Sequence, residues 1–168
     1  MIARSISPLG LALLVPLLLP GAAMAQDVPA KLMPPAGVTK IGAYSGKGVQ
    51  IYVCAAHDAA LEWTLKAPEA ELTDANGVTF AKHYAGPTWE AADGSKAIGK
   101  VMQAVPAPSA GAVPWLLLSA TSSGTGVLSG TRFVQRIDTA GGVAPSGACP
   151  APGTEQRVSY SAEYVFYK

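Results

Sequence analysis

The chain has 168 residues, 12 Lys+Arg against 11 Asp+Glu, 49% hydrophobic residues, 18 glycines, 14 prolines and two cysteines. That length suits one domain with a real core. The near-zero charge, with no basic patch or acidic run, excludes a nucleic-acid surface, which needs clustered positive side chains.

The first 25 residues read as an export signal. Arg4 gives a positive start, Leu9 to Leu19 is an apolar run broken by Pro16, and Ala23-Met24-Ala25 offers small residues for cleavage before Gln26. The apolar run is too short to span a bilayer, and no other segment is apolar enough to do so. No cysteine follows the cleavage position, so a lipid anchor is not supported. The expected mature domain is 26–168, periplasmic or secreted. Residues 26–37, with Pro29, Pro34 and Pro35, read as an extended arm.

Gly46-Lys47-Gly48 reads as a turn. After it Val49, Ile51 and Val53 alternate with Gln50, Tyr52 and Cys54, the period of a half-buried strand. Leu61, Trp63 and Leu65 alternate in the same way with Glu62, Thr64 and Lys66. Asn76-Gly77 and Asp93-Gly94 are hairpin dipeptides, because these residues tolerate positive φ. A Pro-rich loop follows from Val105 to Pro114. Trp115-Leu116-Leu117-Leu118 then reads as a strand buried on both faces. Gly124-Thr125-Gly126 marks another turn, and 139–154 is a Gly/Pro-rich loop carrying Cys149. Val158, Tyr160, Ala162, Tyr164 and Phe166 close the chain as an alternating strand, with Tyr167 on the opposite face.

These elements predict an all-β fold, an antiparallel sandwich or barrel-like domain of about nine or ten short strands. Cys54 and Cys149 have no Cys-x-x-Cys spacing. In an oxidising compartment they are expected to form one structural disulfide, pinning the 139–154 loop to the Cys54 strand.

The blocks "GVQIYVCAA", "APEAEL" after the Trp63 strand, "HYAGPTWEAADGS", "VPWLLLSA", "VQRIDTAGG" and "YSAEYVFYK" occur in this order here. Together they resemble a secreted bacterial and fungal family, domain-of-unknown-function family 3455, from about Pro29 to Lys168. The resemblance implies an extracytoplasmic, mainly β domain. It implies no activity and no catalytic residues.

The candidate site lies in "KHYAGPTWEAADGSKAIGK", residues 82–100. If Gly86-Pro87 is a two-residue loop, Tyr84 faces Trp89 and His83 faces Glu90. If Ala85-Gly86-Pro87 is a three-residue loop, His83 faces Trp89 and Lys82 faces Glu90. The first register keeps Val78, Phe80, Tyr84, Trp89 and Ala91 on one apolar face, and is preferred. It pairs Trp89 with Ile98 across the Asp93-Gly94 turn. It also sets His83 beside Glu90, about 5 Å apart at Cβ, a pair able to act as a general base. A metal would need His57 as a third ligand, and no metal-binding spacing is present, so neither metal nor cofactor is expected. No Gly-x-Ser-x-Gly elbow or Walker loop occurs. The three tryptophans read as core, while Tyr44, Tyr52, Tyr160, Tyr164 and Tyr167 could line a groove. The reading favoured is a non-catalytic binding module for a small ligand, glycan or protein partner, with His83, Tyr84, Trp89 and Glu90 as ligand contacts. A hydrolase or metal-dependent enzyme using His83 and Glu90, and a purely structural envelope or surface protein, are the alternatives.

Overall fold

The computed structural model describes residues 27–58 and 60–168. The expected export signal in 1–25 lies outside the described residues. Eight antiparallel strands close on themselves as a barrel: β1 (Lys40–His57), β2 (Ala60–Thr73), β3 (Thr79–Tyr84), β4 (Thr88–Ala91), β5 (Lys96–Val105), β6 (Trp115–Ser123), β7 (Phe133–Gly141) and β8 (Glu155–Tyr167). Each strand pairs with the next, and β8 returns to β1. Closure removes the unpaired edges an open sheet would expose.

The all-β antiparallel expectation therefore holds, with eight strands, several of them longer than expected. Gly46-Lys47-Gly48 is the reason for part of the difference. It is not a turn but the middle of β1. Its glycines serve close approach. A Cβ at Gly46 would stand 2.6 Å from the Tyr164 ring, and one at Gly48 would run into the backbone of Glu69 and Ala70. Glycine inside a strand commonly marks such contact.

The barrel wall carries two cores. Inside lie Leu72, Ala81, Trp89, Leu118, Val134, Tyr164 and Phe166. Outside, Trp115, Leu117, Phe133, Ile137 and Val165 form a second layer. The segment expected as an extended arm covers it. There Ala30–Leu32 makes a single 3-10 turn and buries Leu32 completely. Gln135 donates from Nε2 to the Leu32 carbonyl at 2.6 Å and accepts the Tyr167 hydroxyl at 2.5 Å. The arm thus has a polar anchor as well as an apolar one. This layer explains why Trp115 to Leu118 is apolar at every position: both faces of β6 are covered.

Cys54 and Cys149 are bonded, with Cα atoms 5.6 Å apart. The backbone repeats the link, since Cys54 N donates to Thr154 O and Gly153 N to Cys54 O, at 2.8 and 2.9 Å. The loop before β8 is therefore held to β1, as expected.

Replacing Cys54 with Ser should cost roughly 2–5 kcal/mol, the usual loss for a native disulfide closing a long loop. Urea denaturation of the oxidised proteins measures it, and coincident midpoints would exclude a stabilising role for the bond.

A barrel cavity as candidate functional site

β3 and β4 are the shortest strands, with 6 and 4 residues. β2 pairs with β3 only from Ala70 to Thr73, and β5 pairs with β4 only from Lys96 to Ile98. The wall is therefore low above the β3–β4 turn, between the 65–68 stretch of β2 and Val101 of β5. A cavity of about 280 Å³ reaches the barrel interior at this notch. Leu65 and Val101 line it and are about half exposed, which places them at its mouth. Trp89, Leu118 and Tyr164 line it from within. An eight-stranded barrel leaves room for packed side chains or one small ligand.

The β3–β4 register is the three-residue loop. His83 pairs with Trp89, Lys82 with Glu90, and Tyr84 with Thr88. The preferred two-residue register is corrected. The next turn shifts with it, so Trp89 faces Ala97 and Thr88 faces Ile98. The parity argument failed at a bulge. Leu72 pairs with Ala81 but Thr73 with Thr79, which leaves Phe80 as an extra residue. Phe80 can then turn inward beside Ala81, against Phe166 at 5.7 Å between centroids. Trp89 reaches the same Phe166 ring at 5.7 Å.

The correction divides the expected contacts into two groups. His83 and Trp89 lie inside. Their rings stack at 4.6 Å and 6°, and Tyr164 closes on both. Gly99 allows this arrangement, because a Cβ there would stand 3.0 Å from the Trp89 ring. Tyr84 and Glu90 lie outside, where the Tyr84 hydroxyl donates to Glu90 at 2.6 Å and Lys96 pairs with the same carboxylate at 3.1 Å. The Tyr84 and Lys96 contacts hold the Glu90 carboxyl below its usual range. His83 and Glu90 are thus on opposite faces of the wall. His57 is exposed beside Asp58 at the tip of the β1–β2 hairpin. Among the described residues no cluster of three His, Cys, Asp or Glu side chains could hold a metal.

His83 is only 3% exposed. Its Nδ1 lies 2.9 Å from the Thr88 carbonyl. A carbonyl only accepts, so Nδ1 carries the proton and Nε2 keeps its lone pair. Burial pushes the imidazole down from 6.5 to about 4, the Thr88 contact acts against this, and the Arg136 charge adds to it. The ring is neutral at neutral pH. Burial also pushes the Tyr164 phenol well above its usual range. Its hydroxyl shares a hydrogen bond with Tyr160 at 3.0 Å.

Three further polar residues line the cavity: Lys66 of β2, whose ammonium pairs with Glu155, and two that did not stand out in the sequence. Arg136 of β7 donates from Nε and Nη2 to the Pro114 carbonyl at 3.2 and 2.9 Å. Gln50 of β1 is 1% exposed, and its Nε2 has no acceptor among the described residues. Of the other expected aromatics, Trp115 is buried in the outer layer, Trp63 is half-buried on the β1–β2 hairpin, and Tyr167 faces the arm rather than the interior.

A profile of the family described as "Protein of unknown function (DUF3455)" matches residues 35–168. No curated protein and no solved structure matches the chain.

The buried neutral His83 predicts a pH dependence. The unfolded chain takes up the imidazole proton near 6.5, the folded barrel only near 4. The unfolded state binds more protons between these values, so this contribution to stability is complete above pH 6.5 and falls as pH drops toward about 4. At ~1.36 kcal/mol per unit the loss is roughly 3 kcal/mol. Urea denaturation at neutral pH and near pH 4 should show His83→Gln losing about that much less than wild type; equal losses would mean that His83 is not buried neutral.

Proposed function

The chain belongs to the DUF3455 family of proteins of unknown function, and for this member we propose a non-catalytic role as a carrier or sensor of one small ligand held inside the barrel. The observation that carries this reading is the notched cavity, where Trp89, Leu116 and Leu118 offer apolar surface and His83, Gln50, Arg136 and Tyr164 converge as polar contacts. Small-molecule sites typically combine a mostly apolar concavity with a few placed polar groups. The small volume favours one compact molecule over a glycan chain or a protein segment.

The enzyme alternative depended on His83 acting with Glu90, and the wall lies between those side chains. The export pattern of the first 25 residues and the disulfide support an extracytoplasmic setting, periplasmic or secreted. Among the described residues no helix is long and apolar enough to cross a membrane.

A thermal-shift screen of compact apolar and amphiphilic molecules tests the reading. A ligand at one hundred times its Kd adds about 2.7 kcal/mol to the folded state. Leu116→Trp, which fills the cavity from β6, should stay folded and lose the shift. A shift that survives in that variant would place the ligand elsewhere, and no shift across the screen would favour a purely structural protein.

A further inference from the structure

We infer that the ligand of this cavity is a small monocarboxylate with an apolar body, its head held by Arg136 and Gln50. The inference rests on the cavity-binding reading above and adds the ligand's chemical class.

It follows from the hydrogen-bonding inventory of the cavity wall. Arg136 cannot lose its proton in a protein and offers donors only. Its fork is fixed on one side by the Pro114 carbonyl, which takes one N–H from Nε and one from Nη2. The remaining N–H groups are left for Tyr164 and for a ligand. Arg136 forms no ion pair among the described residues, and no Asp or Glu lines the cavity. Gln50 adds a buried Nε2 with no acceptor, and Trp89 adds a buried Nε1 in the same condition. The wall therefore holds a positive charge and unmatched donors. A ligand that completes it must be rich in acceptors and carry negative charge.

Geometry narrows the class further. Lys66 also lines the cavity, but Glu155 already matches its ammonium; the one guanidinium left balances one negative charge, and its planar fork matches the two oxygens of a carboxylate. Leu65 and Val101 at the mouth and Leu116 and Leu118 within give the cavity its apolar surface. A hydrocarbon or aromatic body fits there, whereas a sugar or a polyanion would bury polar groups without partners. Entering head-first through the notch, the carboxylate meets Arg136 while the body covers Leu65 and Val101.

Isothermal titration of the purified protein with octanoate, 1-octanol and octylammonium tests this, since the three share a chain and differ in the head. Octanoate should bind at least tenfold more tightly than octanol, and octylammonium more weakly than either. Arg136→Gln should bring octanoate down to the octanol affinity and leave octanol unchanged. Because Arg136 also ties down Pro114, Gln50→Leu serves as a second variant. It should weaken octanoate severalfold and spare octanol. Octanol or octylammonium binding as tightly as octanoate would overturn the carboxylate while leaving the cavity reading intact. An octanoate preference that survives in both variants would overturn the assignment to Arg136 and Gln50. Failure of all three probes, with Leu116→Trp also indifferent to every compound of the wider screen, would overturn the cavity reading itself.

Discussion

The pairing of β1 with β8 is the constraint on which the rest of the molecule depends. It runs from Lys40 with Tyr167 to Val53 with Glu155, while the other edge of β1 pairs with β2 over most of its length. Because β8 is also paired to β7 and each remaining strand to its neighbours, this pairing closes the ring. Closure then decides what the alternation along each strand means, because one face of every strand looks into a space of limited width. Tyr160, Ala162, Tyr164 and Phe166 fill that space from β8, and Gly46 on the facing strand leaves room for the Tyr164 ring. Tyr164 in turn meets His83 and Trp89. The seam, the aromatic cluster and the cavity wall are therefore consecutive consequences of one ladder.

Because β3 and β4 are too short to complete the wall, the barrel is closed as a sheet yet notched at one place. The notch is what separates a packed core from an accessible cavity. Away from it Tyr44 and Phe80 stack on each other and meet Phe166 edge to face at 5.9 and 5.7 Å, leaving little space. At the notch Leu65 and Val101 keep about half their surface in water. The outer face of the opposite wall has no such freedom, since the arm and Leu32 seal it. The two sides of the barrel thus differ in a way that assigns stability to one and access to the other.

Much of this was legible in the sequence. The period-two pattern of β8, the all-apolar Trp115–Leu118 run and the lone cysteine pair each follow from local physics that closure does not alter. The β3–β4 register was not legible. A single extra residue at Phe80 inverts the parity on which the choice rested, and nothing local to Phe80 announces a bulge. Gly46-Lys47-Gly48 misled for a related reason: the ring that needs Gly46 lies 118 positions away in the chain, at Tyr164, and the backbone that needs Gly48 belongs to β2. Arg136 and Gln50 went unnoticed because a polar residue in an alternating strand ordinarily points to water. In β1 the more deeply buried face is the one carrying Gln50, Tyr52 and Cys54, the reverse of what the valines suggest. An arginine between Gln135 and Ile137 gives no sign that β7 turns it inward.

The contrast between the two faces of the wall is what gives those hidden residues their meaning. Outside, the charged groups are matched locally, and only the Trp115 indole Nε1 lacks an acceptor among the described residues. Glu90 meets Tyr84 and Lys96, and Asp93 accepts from Ser95 and from the Val127 amide. Inside, Gln50 and Trp89 keep buried donors without acceptors beside a guanidinium that meets no carboxylate among the described residues. An unmatched buried donor costs about 1–3 kcal/mol, more when charged. Apolar side chains at these positions would carry no such cost. Groups kept at that cost, and gathered at the one place where the wall is low, make sense if a ligand restores the missing partners and the folded state gains on binding what it forgoes when empty.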